Sequence, residues 1–226
     1  MPSYLPRGLI RIDPALPMDV LAPLGCGVQT GAGAVLNSLQ PRPGDSIAVF
    51  GVGAVGMSAV MAARASSCST IVAIDRVRER LELASELGAT HLVDACRSPA
   101  LIGQVRSIAK SRVNHVVDST GVGEVVAHAL QCLSTRGTCV LVGMYPPGHR
   151  LPIDTRFLVL NGINVRGVVE GDSKPSDFIP RLIDLYQAGK FPLDRLVTPF
   201  SFTDVNVAMD ASAACTVLKP VLRFRS

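Results

Sequence analysis

Short unbroken apolar runs alternate along this chain with longer stretches whose apolar positions recur every three or four residues. The short runs read as strands buried on both faces, and the longer stretches as amphipathic helices laid across them. Ser46–Phe50 is a first strand, followed by a small-residue helix from Ala54 to about Ala65. Thr70–Ile74 is a second strand. Arg78–Leu87 is a helix stopped by Gly88, and His91–Val93 a short third strand. Ala100–Ala109 is a helix with Ile102, Val105 and Ile108 on one face. Val113–Val117 is strand four, Glu124–Leu133 a helix, and Gly137–Val142 strand five. Ile163–Val169 is strand six, with the β-branched content of a buried parallel strand. Right-handed crossovers between six such strands predict an α/β fold, a doubly wound parallel sheet of order 3-2-1-4-5-6. Ligands of such a sheet lie at the carboxyl ends of the strands, near the switch between strands one and four.

The two ends break this rhythm. Residues 1–27 are rich in proline and glycine, with only a strand-like piece at Leu9–Ile12, and cannot be a domain alone. Beyond residue 169, Ser176–Ala188 reads as an amphipathic helix and Pro192–Val197 as a proline-marked turn. Phe202–Ala213 reads as another helix and Val217–Phe224 as a final strand.

The composition fits a globular chain: 226 residues, 48% hydrophobic and 18% charged, with net charge +4. The basic residues are scattered, and Arg76, Arg78 and Arg80 interleave with Asp75 and Glu79, so no nucleic acid partner is expected. No apolar stretch reaches 18 residues, so no membrane span is expected. Met1–Gly8 lacks the apolar centre of a signal peptide, and a cytoplasmic location is the expectation. The six cysteines form no C-x-x-C pair, and no histidine stands at metal spacing from another. Cys68, Cys96, Cys132, Cys139 and Cys215 are expected to be buried, inert thiols; Cys26 stands apart.

The chemistry gathers at Gly51-Val52-Gly53-Ala54-Val55-Gly56, which closes the first strand and opens the first helix. The first glycine permits the tight turn, the second admits a pyrophosphate to the backbone, and the third lets helix pack on strand. The helix N-terminus offers free N–H groups to the phosphates. Asp75, 19 residues past Gly56, ends the second apolar run. There a carboxylate accepts both ribose hydroxyls and repels a 2′-phosphate, so NAD is the expected cofactor of what reads as a Rossmann domain.

Leu24-Gly25-Cys26-Gly27-Val28-Gln29-Thr30-Gly31 precedes the first strand. Together with the glycine motif, Leu87–Thr90, Asp118-Ser119-Thr120-Gly121, Val169-Glu170-Gly171-Asp172 and Lys219–Phe224, it resembles the zinc-type medium-chain alcohol dehydrogenases over essentially the whole chain. The Gly-Cys-Gly-Val-Gln-Thr-Gly and Glu-Gly-Asp runs are most similar to the aryl-alcohol dehydrogenases. The resemblance implies the coenzyme-binding part of such an enzyme: residues 28–169 as the NAD-binding domain, 1–27 as a remnant of a GroES-like catalytic domain, and 170–226 as the segment returning to it. It implies Cys26 as a ligand of the catalytic zinc and Thr30 packed on the nicotinamide. Asp75 and Arg80 would sit at the adenosine ribose, and Lys219 at the pyrophosphate. Ser119, Thr120, Val142, Gly143, Met144, Val168 and Val169 would line the nicotinamide half. The other two zinc ligands and the proton-relay hydroxyl belong to a region of the family that has no counterpart here, so no catalytic residue is assigned and no tightly held zinc is expected. A homodimer or homotetramer through the edge of the coenzyme sheet is also implied. The activity implied is oxidation of a primary, aromatic or benzylic alcohol to an aldehyde. The alternatives are a non-catalytic NAD-binding module and a zinc-independent quinone or enoyl reductase of the same superfamily; Cys26 and Asp75 argue against the latter.

Overall fold

A computed structural model describes residues 9–98 and 100–224. The opening eight residues of the 1–27 segment lie outside it. A short helix α1 (Met18–Leu21) and a 3-10 turn (Ala22–Gly25) lead into α2 (Gly27–Gly33), which loosens into a π-helical stretch at Ala34–Leu39. The sheet follows: β1 (Ser46–Phe50), α3 (Ala54–Ala65), β2 (Thr70–Asp75), α4 (Arg78–Leu87), β3 (His91–Asp94), α5 (Leu101–Ile108), β4 (Val113–Asp118), α6 (Gly123–Gln131), β5 (Leu133–Leu141), α7 (Thr155–Asn161) and β6 (Asn164–Gly167). All six strands are parallel, in the order β3-β2-β1-β4-β5-β6. That is the expected doubly wound sheet.

Alternation along β1 shows why the sheet sits in the middle. Ile47 and Val49 enter one core with Met57, Val60 and Met61 of α3, while Ala48 and Phe50 enter the other with Val105 of α5 and Val126 of α6. Each fully buried side chain of this kind contributes about 1.5–3 kcal/mol. The first core also takes in Leu21, Leu24 and Val28 before the sheet, and Phe178, Leu182 and Phe191 after it. The latter three lie on or just beyond α8 (Pro175–Gln187).

Several expectations need correction. Leu9–Ile12 forms no strand. Residues 192–197 hold a 3-10 turn at Leu193–Arg195, and a strand β7 (Val197–Ser201) begins where a turn was expected to end. It pairs in parallel with β8 (Lys219–Arg223), Pro199 opposite Val221 and Pro220 opposite Thr198. A two-stranded ribbon is all edge, so both prolines can forgo a ladder donor. Phe202–Asp204 is a 3-10 turn before α9 (Val205–Ala213) rather than its first turn. α7 was not foreseen, although Asp154 Oδ1 accepts from the Phe157 N–H and Gly162 ends the helix at φ 60. β5 starts at Leu133, four residues early, across an irregular stretch where Arg136 has φ 62. β6 is shorter than expected and is an edge strand: Asn164 and Arg166 are exposed and Val165 half-buried. Cys68, Cys132 and Cys139 are buried as expected, but Cys96 and Cys215 are exposed.

Candidate functional site

The register of the sheet sets the site. Phe50 pairs with Ile74 on one side and Asp118 on the other; Asp118 pairs with Leu141, and Leu141 with Gly167. The residues that follow these positions (Gly51, Asp75, Ser119, Val142 and Val168) therefore emerge at one level along the carboxyl edge. Parallel pairing alone brings together residues as far apart in sequence as Gly51 and Val168.

The glycine turn is built by close contacts. A Cβ on Gly56 would stand 1.8 Å from Gly51 O, and Gly51 itself has φ 79. Gly53 is different, because the nearest atom to a Cβ there is Arg80 Nη1 at 4.0 Å. Gly56 thus serves packing, and Gly53 leaves open space in front of α3. That helix starts with no side-chain cap, so the N–H groups of its first turn stay available. The Arg80 Nε beside it is buried without a hydrogen-bond partner among the described residues. An open glycine, uncapped N–H groups and an under-used guanidinium fit a bound phosphate.

Asp75 is held by three backbone donors. Val52 N–H donates to Oδ2 at 2.7 Å, and the Arg76 and Val77 N–H groups donate to Oδ1 at 2.7 and 2.9 Å. A carboxylate offers about four acceptor positions. Three are taken by these backbone donors, which leaves one on Oδ2. Across the switch, Ser119 Oγ donates to Gly51 O at 2.8 Å. Thr120 Oγ1 donates to Asp118 Oδ1 at 2.7 Å, and the Tyr145 hydroxyl to Asp118 Oδ2 at 2.6 Å. Asp118 is fully buried. Burial and that carboxylate hold the Tyr145 phenol far above its usual range. Gly121 and Gly143 bring the next two loops into backbone contact; a Cβ on Gly143 would stand 2.3 Å from Gly121 N. Beyond them Met144 and Val169 are exposed, while Val168 is buried.

α2 closes the other side of the crevice. A Cβ on Gly31 would lie 1.9 Å from Val55 O, and one on Gly33 2.3 Å from Gly171 O. The helix is therefore wedged between the glycine turn and the Glu170–Asp172 strap that follows β6. Glu170, Gly171 and Asp172 all have positive φ, at 48, 66 and 46. Such a left-handed run is costly outside glycine, and it is tied down at several points. Gln29 Nε2 donates to Glu170 Oε2 at 2.8 Å and to Gly25 O at 2.9 Å. The Thr30 hydroxyl approaches the same carboxylate oxygen at 3.5 Å. Asn37 Nδ2 donates to Gly171 O at 3.0 Å, and Ser38 and Arg166 hold Asp172. Thr30 is thereby buried and oriented.

Of the residues singled out in the sequence, Gly51, Gly53, Ala54, Val55, Gly56, Asp75, Arg80, Ser119, Thr120, Val142 and Gly143 gather at the carboxyl edge of the sheet, and Thr30 lies on α2, which packs against the glycine turn. Lys219 stands in β8, half-buried, on the ribbon that packs against the turn preceding Cys26. Gln29, Glu170, Asp118 and Tyr145 were not singled out. The motifs containing the first three were visible, but their pairings span up to 144 residues.

Cys26 is exposed at the start of α2, with φ −148 and ψ −93. Among the described residues no three His, Cys, Asp or Glu side chains stand close enough to hold a metal ion. A catalytic zinc takes three protein ligands. The donor set among the described residues does not fit one.

The family model for zinc-binding dehydrogenases matches residues 54–188, more than half of the chain. A geraniol dehydrogenase of Castellaniella defragrans is 40% identical over 215 residues, covering 95% of this chain and 58% of that protein. The class-3 alcohol dehydrogenase of Myxine glutinosa is 35% identical over 220 residues, 96% of this chain and 58% of its own length. Among solved structures, the benzyl alcohol dehydrogenase of Acinetobacter calcoaceticus superimposes with TM-score 0.93 at 39% identity, over 96% of this chain and 59% of that one. An alcohol dehydrogenase zinc-binding domain protein from Burkholderia ambifaria gives TM-score 0.93 at 45% identity, over 96% and 58%. The chain spans about 58% of the length of the curated relatives it matches.

Proposed function

The chain belongs to the zinc-binding dehydrogenase family, and on that premise we propose that it is the coenzyme half of an NAD-dependent alcohol oxidoreductase. The observation that carries this reading is the glycine turn tied to Asp75 through the Val52 N–H, next to a helix that starts with no side-chain cap. Asp75 would take the adenosine ribose, and its charge would repel a 2′-phosphate. The first-turn N–H groups of α3 would take the pyrophosphate, with Lys219 as a further cation; Arg80, expected at the ribose, has its Nη1 4.0 Å from the Cβ position of Gly53 and would serve the pyrophosphate instead. Thr30, Ser119, Thr120, Val142, Gly143, Met144, Val168 and Val169 would line the nicotinamide half. NAD supplies the hydride acceptor when bound, and these side chains orient it and exclude water. The substrate class is a primary alcohol with an unsaturated or aromatic body, a reading supported by the names of the geraniol and benzyl alcohol dehydrogenase relatives.

The single donor at Cys26 favours a second reading for this chain by itself, an NAD-binding module without alcohol turnover. Two measurements separate the readings. NADH titration followed by its fluorescence is clean because the chain has no tryptophan; NADH binding at least about tenfold tighter than NADPH is expected. A folded chain that binds neither removes both readings. Absorbance at the NADH band with NAD, zinc and benzyl alcohol then decides between them, since turnover supports the first and binding without turnover the second. The exposed edge of β6, with Val159, Leu160 and Val169 exposed nearby, supports a homodimer or homotetramer through that edge. A monomer at micromolar concentration in sizing experiments would count against it. Among the described residues no helix is long and apolar enough to cross a membrane.

A further inference from the structure

At the amino edge of the sheet, away from the crevice, α5, α6 and α7 enclose a cavity of about 280 Å³. Arg106 and Arg112 line it. Arg106 Nη2 donates to Gln131 O at 2.9 Å, and Arg112 Nη1 to Leu133 O at 3.3 Å. Those two carbonyls flank Cys132, so both guanidinium groups converge on one turn. Arg106 Nε is buried with no hydrogen-bond partner among the described residues. The Arg112 guanidinium lies over the Phe157 ring, 5.4 Å from its centroid. Neither arginine forms an ion pair among the described residues. Asp154 is the one carboxylate in the lining, and its Oδ1 is already engaged by the Phe157 N–H at 3.2 Å as the cap of α7. The other walls are Ala127, Leu130, Pro152 and Ile153.

This arrangement holds two like charges together with too little negative charge to match them. Each guanidinium has five N–H donors and spends one on a carbonyl. A planar fork of this kind matches a carboxylate through two parallel hydrogen bonds, and it gains strength where water is partly excluded. The remaining walls suit carbon rather than further oxygen. We propose that the cavity between α5, α6 and α7 binds a small monocarboxylate with an apolar body, its carboxylate on Arg106 and Arg112 and its body against Leu130, Ile153 and Phe157. The site is independent of the coenzyme reading, because no residue of its lining belongs to the crevice.

The probe is benzoate, titrated against the whole chain by calorimetry and by backbone amide chemical shifts, with inorganic phosphate as the second ligand. Saturable benzoate binding in the millimolar range or tighter is expected, with shifts centred on residues 127–131 and 153–157. Arg106→Gln with Arg112→Gln should weaken it at least about tenfold. Ala127→Leu, which fills the cavity and keeps both arginines, should also abolish it. Neither variant is expected to disturb the sheet, so far-ultraviolet circular dichroism should match the wild-type spectrum and report that the fold is intact. No saturable benzoate binding, or binding that survives Ala127→Leu in a folded chain, overturns the proposal. Phosphate binding without benzoate binding overturns it too, because the apolar walls then select nothing.

Discussion

The backbone N–H of Val52 donates to Asp75 Oδ2 across 2.7 Å, so the glycine turn and the last residue of β2 hold each other in place. Asp75 is thus part of the turn before any ribose arrives. Asp75→Asn replaces one acceptor oxygen with a donor that must face Val52 N–H or the Arg76 and Val77 N–H groups. NADH affinity should fall about 10- to 100-fold, and the preference over NADPH should shrink to within a few-fold. Fluorescence titration of both cofactors checks this.

Gly31 and Gly25 make a controlled pair. A Cβ at Gly31 meets Val55 O at 1.9 Å, whereas one at Gly25 meets nothing within 4 Å. Gly31→Ala should cost about 3 kcal/mol and lower the melting temperature by roughly 6–12 °C. Gly25→Ala should leave it nearly unchanged. Differential scanning calorimetry on both variants decides whether the wedge between α2 and α3 is as tight as described.

Glu170 should position the start of α2. Its carboxylate, on the strap that follows β6, takes Gln29 and Thr30 together. Glu170→Ala should release both, raising amide exchange over residues 25–30 by about tenfold and weakening NADH binding by a smaller factor. Glu170→Gln keeps an acceptor and should restore slow exchange. Hydrogen exchange read by mass spectrometry is the test.

Alkaline conditions should unfold the chain through its buried thiols. Burial pushes Cys68 up to about 11 and Cys132 up to about 12 from an ordinary 9.0, and pushes Cys139 higher still. The folded state keeps these thiols protonated, while the unfolded state ionises above 9.0. Their stabilisation is therefore complete below pH 9 and is lost as pH climbs toward the folded values, at roughly 1.4 kcal/mol per pH unit for each thiol. Urea unfolding at pH 8, 9.5 and 11 should show this decline, and Cys132→Ala should make it shallower even though the variant is less stable at pH 8.

Metal analysis of the purified chain should find well under one zinc per chain after gel filtration. Cys26→Ser should leave both zinc content and melting temperature unchanged, because one thiolate is far short of a three-ligand site. One tightly held zinc lost in Cys26→Ser would mean that other donors close on Cys26 in a way the described residues do not show.

Most of the sheet was legible from local pattern. β1 and β2 are short apolar runs buried on both faces, and glycines mark the changes of period. The failures share a cause. β7 carries Pro199, so nothing local marks it as a strand; it exists because β8 runs beside it. The first turns of β5 hold a left-handed Arg136 that breaks the apolar run, and only the pairing of Leu133 with Val113 extends the strand. α7 differs, because its cap at Asp154 and its stop at Gly162 are both local signals.

For the site the division is similar. A glycine turn, an acid 19 residues on and a Gly-Cys-Gly run are contiguous or fixed-spacing signals, because each reflects a local backbone demand: a tight turn, an open helix start, a close approach. The sequence by itself therefore determined the parallel sheet, the crevice at its carboxyl edge and the cofactor class expected there. Only the tertiary structure decided that Val52 holds Asp75, that Gln29 reaches Glu170, and that Arg106 and Arg112 meet at one turn. Those pairings depend on strand register and helix packing between segments up to 141 residues apart, and no local preference of the chain encodes them.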